Sequence, residues 1–140
     1  MKNQLLWDES LETGIVEIDI QHRNLFNIFR ILRDAIENKK SSLVIKYIIE
    51  EIERYSQYHI EAEEEILLKY DALSEDHRRE HQSFQRIVSD FKIKYVTTHD
   101  HILAEEISKY LYNWATSHIM KKDMEDIKLL NEGFKKAGKI

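Results

Sequence analysis

From Ile15 to Glu132 the chain contains neither proline nor glycine, the two residues that most often interrupt a helix. Helices can therefore run through nearly the whole sequence, and apolar residues at alternating steps of three and four mark four of them. The first is expected over roughly Asp19–Asn38, with His22, Leu25, Phe29, Leu32 and Ile36 on one face. The second, Ser42–Lys69, carries Ile48, Ile52, Tyr55, His59, Glu63 and Ile66. The third, Ser74–Val96, carries His77, His81, Phe84, Val88, Phe91 and Tyr95, and the fourth, Asp100–Lys122, carries Ile107, Leu111, Trp114 and His118.

Short polar segments at Lys39–Ser41, Asp71–Leu73 and Thr97–His99 separate these stripes, and connections that short make neighbouring helices antiparallel. The expected fold is all-α, an up-and-down antiparallel four-helix bundle. An irregular N-terminal arm reaching Val16 would pack Trp7, Leu11 and Ile15 on the bundle, and a short C-terminal helix is expected from about Met124 to Lys136. At 140 residues the chain suits one domain, 1–140, with one buried core.

Composition narrows the chemistry. With no cysteine, thiolate metal sites, disulfides and cysteine nucleophiles are excluded, so any metal here has nitrogen and oxygen donors from His, Asp and Glu. A formal charge of −5, with the basic pairs scattered among acids, argues against nucleic-acid binding. No apolar run reaches the roughly 18 residues of a membrane span, and the start lacks the apolar stretch of a signal peptide, so a cytoplasmic location is expected.

The polar residues on the apolar stripes carry the functional information, because a buried ionisable group without a partner costs several kcal/mol. His59 and Glu63 lie four apart on the second helix, and His77 and His81 four apart on the third, a spacing that brings two side chains to one centre. Counted from the turns at one end of the bundle, His22, His59, Glu63, His77, His81 and His118 all lie about 17–22 residues along their helices, within two helical turns of one another. Six candidate ligands on four helices thus converge in one slab. His99 and His101 fall at the opposite end and read as surface residues. Asp123 is five residues after His118, about 140° round an ideal α-helix, so spacing alone makes it a surface acid unless the helix ends or bulges there.

These residues resemble the hemerythrin family, specifically its single-domain bacterial members. The likeness is carried by Trp7-Asp8 and Thr13-Gly14-Ile15 in the arm, then Asp19-Ile20-Gln21-His22, His59-Ile60-Glu61-Ala62-Glu63-Glu64, His77 with His81, and His118-Ile119 with Asp123. The resemblance implies that His77, His81 and His118 bind one iron and that His22 and His59 bind the other. Glu63 and Asp123 would bridge the two ions, which overrides the reading of Asp123 from spacing. Leu25, Ile60, Trp114 and Ile119 match the family's apolar dioxygen pocket. The implied cofactor is two non-haem iron ions, Fe2+/Fe3+, with an oxo or hydroxo bridge.

Two departures stand out. Ile60 replaces the phenylalanine usual after the second-helix histidine, which implies a wider pocket and faster oxidation to the ferric form. The connection Tyr70-Asp71-Ala72-Leu73 lacks the Gly-Tyr-Pro of bacterial members.

The function implied is reversible dioxygen binding, as an oxygen carrier, store or sensor, rather than enzymatic turnover. Five neutral imidazoles supply less negative charge than the four-carboxylate shell of ferritin-like diiron enzymes, which favours binding over oxidation. The alternatives are a diiron enzyme acting on peroxide or nitric oxide, iron buffering, and a structural metal, although four ligands would satisfy a structural zinc. The sequence identifies no protein partner.

Overall fold

The computed structural model describes residues 5–127 and residue 130. Four helices build it: α1 Val16–Glu37, α2 Ser41–Lys69, α3 Glu75–Lys94 and α4 Asp100–Trp114, the last running directly into a π-helical segment at Ala115–Asp123. They pack as an up-and-down antiparallel bundle in which α1 lies against α2 and α4, and α2 against α3. The four stripes read from the sequence are the buried faces, although Ile36, Ile66 and Tyr95 at their ends are only partly buried. Starts and ends of the first three helices shift by up to three residues, as fraying ends do, whereas the fourth, expected as far as Lys122, is α-helical only to Trp114 and π-helical beyond it. Among the described residues no helix is long and apolar enough to cross a membrane.

A chain without glycine or proline through its bundle still has to stop its helices. At the end of α1 the Lys40 N–H reaches the Ala35 carbonyl at 2.7 Å and the Lys39 N–H the Ile36 carbonyl at 3.1 Å, with Lys39 at φ 57°. At the end of α2 the Ala72 N–H reaches Leu67 at 2.7 Å and the Asp71 N–H reaches Leu68 at 3.1 Å, with Asp71 at φ 55°. Both are Schellman endings, which satisfy the last carbonyls by turning one residue left-handed. Glycine normally fills that position, and a residue with a Cβ pays about 1–2 kcal/mol there. Lys39→Gly is therefore expected to stabilise the protein by about 1 kcal/mol, read as a higher denaturant midpoint with an unchanged slope.

The arm is held by one buried carboxylate. Asp19 accepts hydrogen bonds from the Thr13 N–H and hydroxyl, both 2.8 Å, and from the Gly14 N–H at 3.3 Å, where Gly14 takes φ 88°. Trp7 packs edge-on against Phe26 with ring centroids 5.3 Å apart, and Leu11 and Ile15 are partly buried, as expected for the arm. At the other sequence end Met124–Ile127 is helical; apart from Leu130, the rest of the short C-terminal helix expected up to Lys136 lies outside the described residues.

The main apolar core fills the bundle from Ile45 and Leu103 up to Trp114 and Ile119. A second, smaller cluster of Leu67, Ile127 and Leu130, with Ile66, Ala72 and Leu73 against it, closes the opposite end. Leu67 is one helical turn past Glu63, Ile127 one turn past Asp123, and Leu73 lies in the connection four residues before His77. The slab of histidines therefore sits between two apolar layers.

Candidate metal centre

Each helix delivers its share by ordinary α periodicity: His22 from α1, His59 and Glu63 from α2, His77 and His81 from α3. The Ser74 side chain caps α3 by accepting from the His77 N–H at 3.0 Å, which fixes the register of that helix immediately after the atypical connection. His118 and Asp123 both come from the π-helical segment. A π turn closes i to i+5 hydrogen bonds, so residues five apart return to nearly the same face. This corrects the reading of Asp123 from α-helical spacing: it is fully buried beside His118, not a surface acid. His99 and His101 are exposed at the far end, as expected.

All seven polar side chains, His22, His59, Glu63, His77, His81, His118 and Asp123, are 0% exposed. They form two groups of potential ligand atoms. One is His77, His81 and His118 with Glu63 and Asp123; the other is His22 and His59 with the same Glu63 and Asp123. The carboxylates are divided atom by atom. Glu63 Oε1 lies 2.6 Å from His77 Nε2 and 3.2 Å from His81 Nε2, while its Oε2 lies 3.3 Å from His59 Nε2. Asp123 Oδ1 lies 2.8 Å from both His77 Nε2 and His118 Nε2, while its Oδ2 lies 2.9 Å from His22 Nε2 and 3.6 Å from His59 Nε2. Each carboxylate turns one oxygen to each group.

Hydrogen bonds account for only part of this packing: His22 Nε2 meets Asp123 Oδ2 at 2.9 Å and His77 Nε2 meets Glu63 Oε1 at 2.6 Å. His59 Nε2, Glu63 Oε2 and Asp123 Oδ1 are buried with no hydrogen-bond partner among the described residues, and His81 Nε2 faces His118 Nε2 at 3.1 Å. Buried polar atoms are normally paired. Nitrogens and carboxylate oxygens that converge this closely, several of them left unpaired, form a donor set suited to cations, and the residues present therefore fit a metal.

With no metal bound, the charges pair instead. Burial disfavours the charged form of His59, but the facing Glu63 and Asp123 carboxylates outweigh it and raise the pKa to about 9. His77 is likewise opposed by burial yet raised to about 10 by the facing Asp123 and Glu63 carboxylates, and His118 is raised by Asp123 against the same burial. Burial alone would raise Asp123, but the facing His118, His22 and His59 hold it well below the usual carboxylate range. Burial and the Asp123 charge work in the same direction on Glu63, which His59 and His77 nevertheless hold below its ordinary value.

A ring of further residues, not singled out from the sequence, holds the histidines. The Nδ1 atoms of His77, His81 and His118 meet Asp126 at 2.7 Å, Glu64 at 2.8 Å and Glu80 at 2.7 Å. His59 Nδ1 meets the amide oxygen of Gln21 at 2.9 Å, and His22 Nδ1 has no partner among the described residues. Glu64, Glu80 and Gln21 each directly follow or precede a candidate ligand in the sequence, which is the signal that could have found them.

Aromatic rings wall the slab. Tyr55 stacks on His59, centroids 4.7 Å apart and planes 10° apart; Trp114 stacks on His118 at 3.9 Å and 12°. The Trp114 indole N–H donates to the Tyr55 hydroxyl at 3.3 Å. Trp114 thus lies on the three-histidine side and touches the two-histidine side through Tyr55. Leu25, Ile60 and Ile119, the other apolar residues expected at the pocket, are buried. Tyr55 was legible only as a core residue, although it stands one turn before His59 on the same face.

A buried cation-binding slab inside a four-helix bundle, built from histidines and two shared carboxylates, defines a class of metalloprotein, and comparison with known proteins gives the same answer. Residues 13–130 match the hemerythrin HHE cation binding domain. The chain is 30% identical over 128 residues to a bacteriohemerythrin of Clostridium acetobutylicum, covering 87% of this chain and 98% of that one. It is 30% identical over 122 residues to bacteriohemerythrins of Pseudomonas paraeruginosa and Pseudomonas aeruginosa, covering 85% of this chain and 76% of those. This chain belongs to the hemerythrin family.

Proposed function

We propose that this protein binds dioxygen reversibly at a centre of two non-haem iron ions. The observation that carries the reading is the division of the two carboxylates, each with one oxygen toward three histidines and the other toward two. His77, His81 and His118 would hold one ion, His22 and His59 the second, and Glu63 and Asp123 would bridge them. Five imidazole nitrogens, four carboxylate oxygens and a shared oxo or hydroxo bridge come to about eleven of the twelve bonds that two six-coordinate ions take. The remaining position would fall to the half held by His22 and His59. When bound there, the iron pair supplies the electrons that dioxygen draws on as it binds and returns as it leaves.

The chain's own part is to position and to exclude. Leu25, Ile60 and Ile119 keep the interior apolar, and excluding water in this way would protect a reduced centre from irreversible oxidation. The Tyr55–Trp114 hydrogen bond locks the rings stacked on His59 and His118, one from each half. The same phenol supports a second reading. The Tyr55 ring stacks on a histidine of the two-histidine half, and its buried hydroxyl, which burial keeps protonated, is a group that could hydrogen-bond to peroxide or nitric oxide undergoing reduction.

One experiment separates the readings. Purified protein grown with ample iron is expected to carry two irons per chain, to gain a visible charge-transfer band when the reduced form meets air, and to lose it under argon. Steady consumption of oxygen or peroxide with a reductant, and no reversible band, would move the assignment to an enzyme; one iron per chain would remove the two-ion centre altogether.

A further inference from the structure

We propose that Glu64, Glu80 and Asp126 divide the centre into a tight and a loose half, so that the ion at His77, His81 and His118 is bound first and released last. The inference rests on the two-iron reading above and adds an order of occupancy to it.

The histidines are not held alike. On the three-histidine side every Nδ1 meets a carboxylate oxygen, at 2.7 Å for His77, 2.8 Å for His81 and 2.7 Å for His118. On the two-histidine side His59 meets a neutral amide and His22 meets nothing among the described residues. All five rings turn Nε2 inward. A carboxylate accepting from Nδ1–H does two things to the opposite nitrogen: it fixes the tautomer that leaves Nε2 bare, and it pushes electron density toward Nε2, making it a stronger donor. An amide oxygen does the first but contributes no charge. The bridging carboxylates are common to both halves, so they do not create a difference. The third histidine favours one half, and the ring of partners adds to that difference, placing three negative charges behind this half and none behind the other.

The three are not equally placed to act. Glu80 is 41% exposed and partly screened by water, whereas Glu64 is 24% and Asp126 12% exposed, although Lys122 lies 3.9 Å from Asp126 and offsets part of its charge. Glu64 and Asp126 are therefore the informative positions. They are positioning residues that act through the histidines.

The test uses the reduced, iron-loaded protein mixed with an excess of a coloured ferrous chelator. Iron is expected to leave the wild type in two phases of equal amplitude. Glu64→Gln and Asp126→Asn keep an acceptor for Nδ1–H but remove the charge; each should speed the slow phase about tenfold or more and leave the fast phase unchanged. Gln21→Glu adds the missing charge on the other side and should slow the fast phase. Helical signal is followed in parallel, so that a folding defect, which would accelerate both phases together, is recognised. The Mössbauer doublet that persists after the fast phase should be the one that Glu64→Gln shifts. Release in a single phase, or neutral variants that release like the wild type, would overturn the proposal and leave the carboxylates as orienting groups only. A loaded wild type with other than two irons would instead overturn the two-iron reading.

Discussion

Asp123→Ala is expected to reduce metal content from two ions per chain to one or none, the largest loss from any single side chain on the π-helical segment. Asp123 is a member of both ligand groups, with Oδ1 toward His77 and His118 and Oδ2 toward His22 and His59. Its removal leaves the two-histidine half with only Glu63 as an anionic donor. The effect extends to the metal-free protein, where Asp123 is a counter-charge to histidines held protonated by burial-resisting pairing. Breaking a buried pair by removing one partner costs about 3–5 kcal/mol. That is a large share of the roughly 5–15 kcal/mol that holds a domain of ordinary stability together. Metal analysis and denaturant unfolding of the metal-free variant measure the two effects separately. Retention of both ions, or an unchanged midpoint, would mean that Asp123 is not the shared anion of the site.

The second large effect is a reversal of pH dependence between metal-free and metal-loaded protein. In the metal-free form His59 and His77 are raised to about 9 and about 10, and His118 is also raised. A raised histidine contributes stability that is fully present below its unfolded value of about 6.5 and is lost as pH climbs through the folded value. The depressed carboxylates, Asp123 and Glu63, contribute stability present above about 4 and lost as pH falls through their folded values. Metal-free protein should therefore be most stable between about pH 4.5 and 6.5 and weaken steadily toward pH 10, by several kcal/mol in total.

Metal binding runs the other way, because His59, His77 and His118 must shed their protons to act as ligands. Apparent affinity should climb with pH across the same range in which the empty protein weakens. Up to three protons should appear per chain loaded at pH 7, measured as heat that varies with the ionisation enthalpy of the buffer. A metal-free melting temperature that rises from pH 7 to 9 would contradict the charge pairing described above.

How far the sequence carried is clearest at two places. His22, His59, Glu63, His77 and His81 lie on helices of ordinary pitch and His118 only four residues past the end of α4, so counting along each stripe put them at one depth, and they are together in the structure. Asp123 could not be found that way, because the count presumes about 3.6 residues per turn and the segment Ala115–Asp123 does not obey it. Only the likeness to a known family indicated it. The partners behind the histidines were hidden for a different reason. Glu64 and Glu80 sit at the edges of their helices among many solvated acids, and only their place beside a candidate ligand sets them apart from acids that face water. The Schellman endings at Lys39 and Asp71 were equally invisible, since their left-handed residues are not the glycines that usually announce them.

The chain has two tryptophans, and their separation turns the molecule into its own optical instrument. Trp114 lies face to face with His118 at 3.9 Å, so its emission is set by whatever that imidazole binds. Trp7 rests edge-on against Phe26 under the Arg23 guanidinium, so its emission follows the docking of the arm. A variant that keeps only one indole reports either the filling of the centre or the seating of the arm, with no label attached.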